Sequence, residues 1–288
     1  MSAQPTPVTA VTAKNQFVQG ANGVRYAYRR LGAASPSVPP LVLLQHFRGN
    51  LDNWDPALVD ALSARREVIL FDNVGVGLSN GTVPSTVAQM ARDAIAFLEA
   101  LNVKQADLLG FSLGGFVAQE IALIRPALVR RLVLAGTGPK GAPGMHGWRQ
   151  DIADHARRPE PRGEDLLYIF FAHTQTSQAK GVEFLGRFMQ RSVERDQPSS
   201  LAARDAQYDA VLDWGIPDHG QLQRLTAIRQ PTLVIQGDDD LMIPTRLSHL
   251  MAGLIPNARI KIYPDSAHAF LFQYPVEVAG DVDTFLSA

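Results

Sequence analysis

Ala106-Asp-Leu-Leu-Gly-Phe-Ser112-Leu-Gly-Gly115 decides how the rest of the chain is read. Ala106 to Leu109 is a short apolar run with the character of a buried strand, and Gly115 to Ile124 reads as a helix. Ser112 stands between them, framed by Gly110 and Gly114, giving Gly-x-Ser-x-Gly in a strand–turn–helix setting. The spacing has a steric cause. A serine on a strained strand-to-helix turn presses the residues two places away against backbone, where a Cβ would clash. The helix beneath it offers unpaired N–H groups and a partial positive charge, suited to a developing oxyanion.

The remaining composition narrows the function classes. The 288 residues suffice for a single α/β core, and 46% hydrophobic with 19% charged residues is an ordinary globular balance. Against 28 acidic side chains stand 27 basic ones, a formal charge of −1, so no global charge argument favours nucleic acid or a membrane surface as partner. There is no cysteine, which removes disulfides, thiolate catalysis and cysteine-ligated metal. The first residues, Met1-Ser-Ala-Gln-Pro-Thr-Pro7, lack a basic start and an apolar core, and no stretch approaches a membrane span. A cytoplasmic enzyme is the expectation.

From the N-terminus, residues 1–15 carry no amphipathic period and are expected to form a flexible tail. Phe17–Gln19 and Tyr26–Arg29 flank Gly20-Ala-Asn-Gly23, a hairpin signal. Leu41–Leu44 and Val68–Phe71 are apolar without alternation, as strands covered on both faces are. Helices are expected over Ala57–Ser63 and from Pro84 to about Leu101, and Arg131–Ala135 is a further strand. Strand and helix alternate here, which points to a doubly wound, mostly parallel sheet. From Gly136 to about Arg229 the strand signal disappears. Helical stretches replace it at His146–His155, Glu164–His173, Ala179–Glu194 and Leu201–Val211, and aromatic residues concentrate there. A structureless loop of that length is improbable, so an inserted helical cap is expected. Strands return at Pro231–Gln236 and Ala258–Tyr263, with helices from Pro244 to Leu254 and Pro275 to Leu286. The division is core over 16–137 and 229–288, and cap over 138–228.

A serine hydroxyl needs a base to take its proton, and the base needs an acid to fix its tautomer. Of seven histidines, His268 alone lies in a loop directly after a late strand. Asp238, Asp239 and Asp240 follow the Pro231–Gln236 strand in the same manner, and spacing does not choose among them. Ligands in open α/β sheets bind beyond such strand ends.

The order Ser…Asp…His beyond strand ends resembles the α/β-hydrolase superfamily, in its small cap-bearing esterase, lactonase and haloperoxidase-like branch. The likeness covers roughly residues 20–135 and 225–288, and the family places its variable cap between. It implies that Gly237-Asp-Asp-Asp240-Leu-Met-Ile-Pro244 is the acid loop, which selects Asp240 beside Ser112 and His268 as catalytic residues. It equates Asp72-Asn-Val-Gly-Val-Gly-Leu-Ser79 with a shaping loop in which Val74 replaces the usual arginine. Aligned on Gln45-His46-Phe47, it implies that the N–H groups of Phe47 and Leu113 form the oxyanion hole, with His46 where the family has glycine. Two such donors contribute about 3 kcal/mol each to the transition state.

Around that site His46 is either a histidine bonded to loop backbone or a substrate contact or proton relay. Arg48 and Asn50 are either solvated side chains, or they meet a polar carbonyl or carboxylate group of the substrate at the mouth. Cap aromatics are mostly packing, but a subset of Trp148, Phe170, Phe171, Phe184 and Trp214 is expected to line an apolar pocket over Ser112. No histidine–carboxylate cluster has metal-ligand spacing, and Gly75-x-Gly77 lacks the rest of a dinucleotide fingerprint, so neither metal nor cofactor is expected. The expected activity is serine-nucleophile hydrolysis of a small ester or lactone with a mainly apolar acyl or alcohol part. The alternatives are carbon–carbon bond hydrolysis of a β-diketone or ring-fission product, perhydrolase or haloperoxidase-like activity, and noncatalytic ligand binding. Sequence leaves the oligomeric state open.

Overall fold

The computed structural model describes residues 8–288. Eight strands form one sheet: β1 (Gln16–Gln19), β2 (Arg25–Leu31), β3 (Leu41–Leu44), β4 (Val68–Phe71), β5 (Ala106–Phe111), β6 (Val129–Ala135), β7 (Thr232–Gly237) and β8 (Ala258–Tyr263). Their spatial order is β1-β2-β4-β3-β5-β6-β7-β8. The first two strands form the expected hairpin and run antiparallel to their neighbours, while β4 through β8 pair in parallel. The strand before Ser112 is therefore central, between β3 and β6. All residues of β3, β4 and β5 are buried, which accounts for the unbroken apolar character of β3 and β4; in β5 the buried Asp107 is paired with Arg130.

Helices α1 (Pro56–Ser63), α2 (Val87–Ala100) and α3 (Leu113–Ile124) follow β3, β4 and β5. Side-chain oxygens of Asp55 and Thr86 cap the first two, accepting from Ala57 N–H and Gln89 N–H. Between β6 and β7 lie α4 (Gln150–Ala156), α5 (Gly163–Phe170), α6 (Gln175–Phe188), α7 (Leu201–Trp214) and the short α8 (His219–Gln223). The chain closes with α9 (Arg246–Leu254), α10 (Phe270–Gln273) and α11 (Pro275–Ser287). Helix α1 packs on α11, and α2 on α3.

Three expectations need correction. The helix expected from His146 begins at Gln150, because Gly144 and Gly147 adopt left-handed φ values of 90° and 84° and keep the segment irregular. The one expected over Ala179–Glu194 runs from Gln175 to Phe188, started by the Thr174 cap and followed by Glu194 at φ 50°. Part of the tail expected over 1–15 packs on the core. Ala10 and Ala13 are buried, Ala10 N–H donates to Asp60 Oδ1 at 2.6 Å, and Arg29 Nε donates to Asn15 Oδ1 at 2.7 Å. The rest of that stretch, 1–7, lies outside the described residues. Among the described residues no helix is long and apolar enough to cross a membrane.

Candidate active site

Ser112 sits at the turn from β5 into α3 with φ 56° and ψ −119°, a conformation that costs a side-chain-bearing residue roughly 1–3 kcal/mol. Neighbouring strands hold it there. Its N–H donates to Ala135 O at 2.9 Å, and its carbonyl accepts from Thr137 Oγ1 and Gly115 N–H, each at 2.8 Å. Both flanking glycines are required by close approach. A Cβ on Gly110 would strike the Gly114 carbonyl, and one on Gly114 would strike the Leu44 carbonyl at the end of β3.

From the far side of the sheet, His268 presents Nε2 to Ser112 Oγ at 2.9 Å and Nδ1 to Asp240 Oδ2 at 2.6 Å. All three residues are buried. A carboxylate accepts only, so Nδ1 is the protonated nitrogen and the Nε2 lone pair faces the serine hydroxyl. Asp240 is itself fixed by three further donors: Gln236 Nε2 on Oδ2 at 2.9 Å, and Met242 N–H and Ile243 N–H on Oδ1 at 2.8 and 2.9 Å. Geometry separates the three aspartates. Asp238 accepts from Asp265 N–H and Ser266 N–H, both at 3.0 Å, and so anchors the loop carrying His268, while Asp239 is exposed.

The N–H groups of Phe47 and Leu113 have no acceptor among the described residues. Leu113 is the first residue of α3, where an N–H has no intrahelical partner. Phe47 follows β3, the neighbour of β5, so both free donors belong to adjacent strand ends. His46 is buried with its ring edge-on to Phe111 and Phe170, each at 5.3 Å between centroids. Burial outweighs its hydrogen bond to Phe47 O and pushes its pKa down to about 4, so the ring is neutral near pH 7 with Nδ1–H donating to that carbonyl at 2.8 Å.

Above these groups lies a cavity of about 650 Å³. Ser112, His268, His46, Phe47 and Met242 line its floor, and Leu166, Ile169, Phe170, Leu185 and Phe188 supply apolar wall from α5 and α6, with Met189 just after α6. Of the aromatics expected there, only Phe170 lines it. Trp148 packs edge-on to the Phe47 ring at 5.1 Å, outside the wall. Phe184 stacks on Phe272 at 4.8 Å, Phe171 packs on Phe184 at 5.7 Å, and Trp214 stacks on Phe116 at 5.0 Å while donating Nε1–H to Gly138 O. Those four hold the cap together or fasten it to the core. The actual liners Phe188 and Leu185 gave no signal beyond ordinary helical spacing.

Arg48 and Asn50 border the cavity, but their polar groups face the protein. Arg48 Nη1 donates to Arg158 O at 2.6 Å and Nη2 to Pro159 O at 3.1 Å. Asn50 Oδ1 accepts from Asp52 N–H at 3.0 Å and Nδ2 donates to Gln197 O at 2.8 Å. A substrate carboxylate would have to displace these carbonyls.

A family profile described as the alpha/beta hydrolase fold matches residues 39–275. The chain belongs to this family. A solved alpha/beta hydrolase fold protein from Chitinophaga pinensis is 40% identical, with a TM-score of 0.91 over 97% of this chain and 99% of that one. Two further relatives are each 30% identical. One, from Azorhizobium caulinodans and provisionally named carbamate hydrolase RutD, matches over 80% of this chain and 84% of its own. The other is a poly(3-hydroxyalkanoate) depolymerase of Ectopseudomonas oleovorans, matched over 87% of this chain and 85% of its own. Their names support hydrolytic chemistry in general.

The cap of this alpha/beta hydrolase meets the core through charged contacts that sequence did not disclose. Arg187 on α6 grips the buried Asp55 carboxylate, Nη2 to Oδ2 at 2.7 Å. Asp196, on the segment returning from α6, reaches the Asp72 carboxyl at the end of β4. Both accept from Leu51 N–H, at 3.2 and 2.8 Å, and both occupy the space that a Cβ on Gly77 would need. Burial first, then the proximity of Asp196, raises Asp72 well above the usual carboxylate range, and burial raises Asp196 too. The pair holds a proton at pH values where a lone aspartate has lost it. Asp52, bonded to Asp196 N–H at 2.7 Å, is neutralised separately by Arg29 at 2.6 Å and Arg191 at 3.5 Å.

Proposed function

We propose that the protein is a serine hydrolase that cleaves a carboxylic ester or lactone through an acyl-enzyme on Ser112. The observation that carries this reading is one continuous arrangement: Ser112 Oγ is 2.9 Å from His268 Nε2, Asp240 is 2.6 Å from Nδ1, and two free N–H groups adjoin them beneath an apolar cavity. In the first half-reaction Oγ bonds to the carbonyl carbon as its proton passes to His268 Nε2. The carbonyl oxygen takes up negative charge against Phe47 N–H and Leu113 N–H. The carbon–oxygen bond then breaks, and the imidazolium, oriented by Asp240, protonates the departing alkoxide. In a lactone that alcohol stays tethered to the acyl group. Water next gives a proton to Nε2 while its oxygen bonds to the acyl carbon, and collapse returns the proton to Ser112 as the acid leaves.

The cavity volume suits a substrate of small-molecule to drug size, and its walls favour an apolar acyl or alcohol part. A carbamate carries the same reactive carbonyl, but a cavity this large exceeds what the bare functional group needs. Carbon–carbon hydrolysis of a carboxylate-bearing ring-fission product gains little support, because Arg48 and Asn50 are engaged by protein carbonyls and N–H groups. The test is a panel of p-nitrophenyl esters of increasing acyl length, lactones and a β-diketone, assayed with purified protein. Ester or lactone turnover that improves as the acyl chain lengthens supports the reading. Cleavage of the diketone with inert esters would replace it with carbon–carbon hydrolysis.

A further inference from the structure

Every polar group of one residue beside the oxyanion hole is held by the cap. Arg48 directly follows Phe47 and sits at φ 63°, where an L-residue persists only under outside restraint. Its N–H donates to Gln207 Oε1 on α7 at 2.6 Å, and its carbonyl accepts from Ser199 Oγ at 2.6 Å. Its guanidinium reaches the carbonyls of Ala156, Arg158 and Pro159 at and beyond the end of α4, at 3.4, 2.6 and 3.1 Å. Three separate cap segments thus converge on a single core residue. Gln207 is fully buried, and its Nε2 has no partner among the described residues, so the amide's bond to Arg48 N–H is its one directed contact.

The peptide between Phe47 and Arg48 is consequently bonded at both ends, its oxygen by His46 Nδ1 at 2.8 Å and its N–H by Gln207. The Phe47 N–H belongs to the preceding peptide plane and is free. Its direction depends on the φ and ψ of Phe47, which the fixed peptide downstream restricts. We infer that Arg48 is a positioning residue that couples the seating of the cap to the aim of the Phe47 N–H, so that the oxyanion hole is complete only with the cap in place. This rests on the serine-hydrolase reading above and deepens it.

The test uses full-length Gln207→Leu, Ser199→Ala and the double variant, with kcat, KM and inhibition by an alkyl boronic acid, whose tetrahedral serine adduct places an oxygen where the oxyanion forms. Loss of one neutral hydrogen bond predicts a fall in kcat of roughly five- to tenfold for each single variant, more for the double. Boronate affinity falls by the same factor, and KM stays within about twofold, since ground-state binding does not use the hole. Unchanged kcat and boronate affinity, or a change confined to KM, would overturn the coupling and leave these contacts as cap packing. If the wild type turned over no ester or lactone, the hydrolase reading would fail, and amide hydrogen exchange over residues 46–49 would decide the coupling alone. Exchange that accelerates in Ser199→Ala, where the Arg48 N–H keeps its own acceptor, supports it. Exchange unaltered in that variant contradicts it.

Discussion

The floor and the roof of the cavity hold their residues in different ways. Floor groups are fixed by backbone just past strand ends: Ser112 by a strained turn between two glycines, Asp240 by a loop whose N–H groups bind its carboxylate, and His268 by a loop pinned on Asp238. Roof residues are fixed by what they face across helices. Phe184 lies flat on Phe272 with 5° between ring planes, Trp214 lies flat on Phe116 with 11°, and Arg187 holds Asp55. The lesson is a division of labour. In the proposed reading the chemistry falls to residues at the sheet edge, while the large cap aromatics bolt the roof down and leave smaller or less buried neighbours to shape the space.

The largest expected effect breaks the floor. Ser112→Ala and His268→Ala should each lower kcat by up to about 10⁶, and Asp240→Asn by about 10⁴, with folding intact by circular dichroism. A loss below tenfold in any of them would mean that the floor is scaffolding. Next comes a contrast within the roof. Trp214→Ala should destabilise the fold by about 3–5 kcal/mol in denaturant titration while sparing KM in the surviving folded protein. Phe188→Ala, on the cavity wall, should instead raise KM for a medium-chain ester roughly tenfold with a smaller stability loss, as expected for removing one apolar contact surface. Reversal of that pattern would exchange the roles of bolt and wall.

The smallest effect concerns the seam between floor and roof. Because burial raises Asp72 and Asp196, the folded protein binds more protons than the unfolded chain above the ordinary aspartate range. The stabilisation is fully present below the unfolded pKa and is lost as pH rises through the folded value. Asp196→Asn, which can donate to Asp72 without a second charge, should flatten that decline and raise stability at alkaline pH relative to the wild type. Thermal melts from pH 5 to 9 measure it, and a variant as pH-sensitive as the wild type would count against the shared proton.

Legibility follows the same division. Strand–turn–helix geometry at Ser112 forces glycine at 110 and 114, so the elbow is written in local sequence. The buried strands β3 and β4 appear as unbroken apolar runs for the equally local reason that both faces are covered. Asp240 needed the family resemblance, since spacing alone did not distinguish it from Asp238, and their difference lies in which loop each carboxylate meets. Sequence reads Arg48 and Asn50 as either solvated or substrate-contacting and misses their protein partners, because the carbonyls of 156–159 and 197 that engage them lie more than a hundred residues away. Trp148, Phe171, Phe184 and Trp214 have the composition of pocket residues but pack elsewhere. Aromatic character marks a side chain that packs on others, and only the third dimension shows on which.

The most direct measurement is reaction of the intact protein with a fluorophosphonate, followed by peptide mass mapping, beside His268→Ala as control. The account predicts stoichiometric modification at Ser112 in the wild type and labelling slowed by orders of magnitude in the variant, whose serine lacks its base. Modification at another residue, or equal rates in the two proteins, would contradict it.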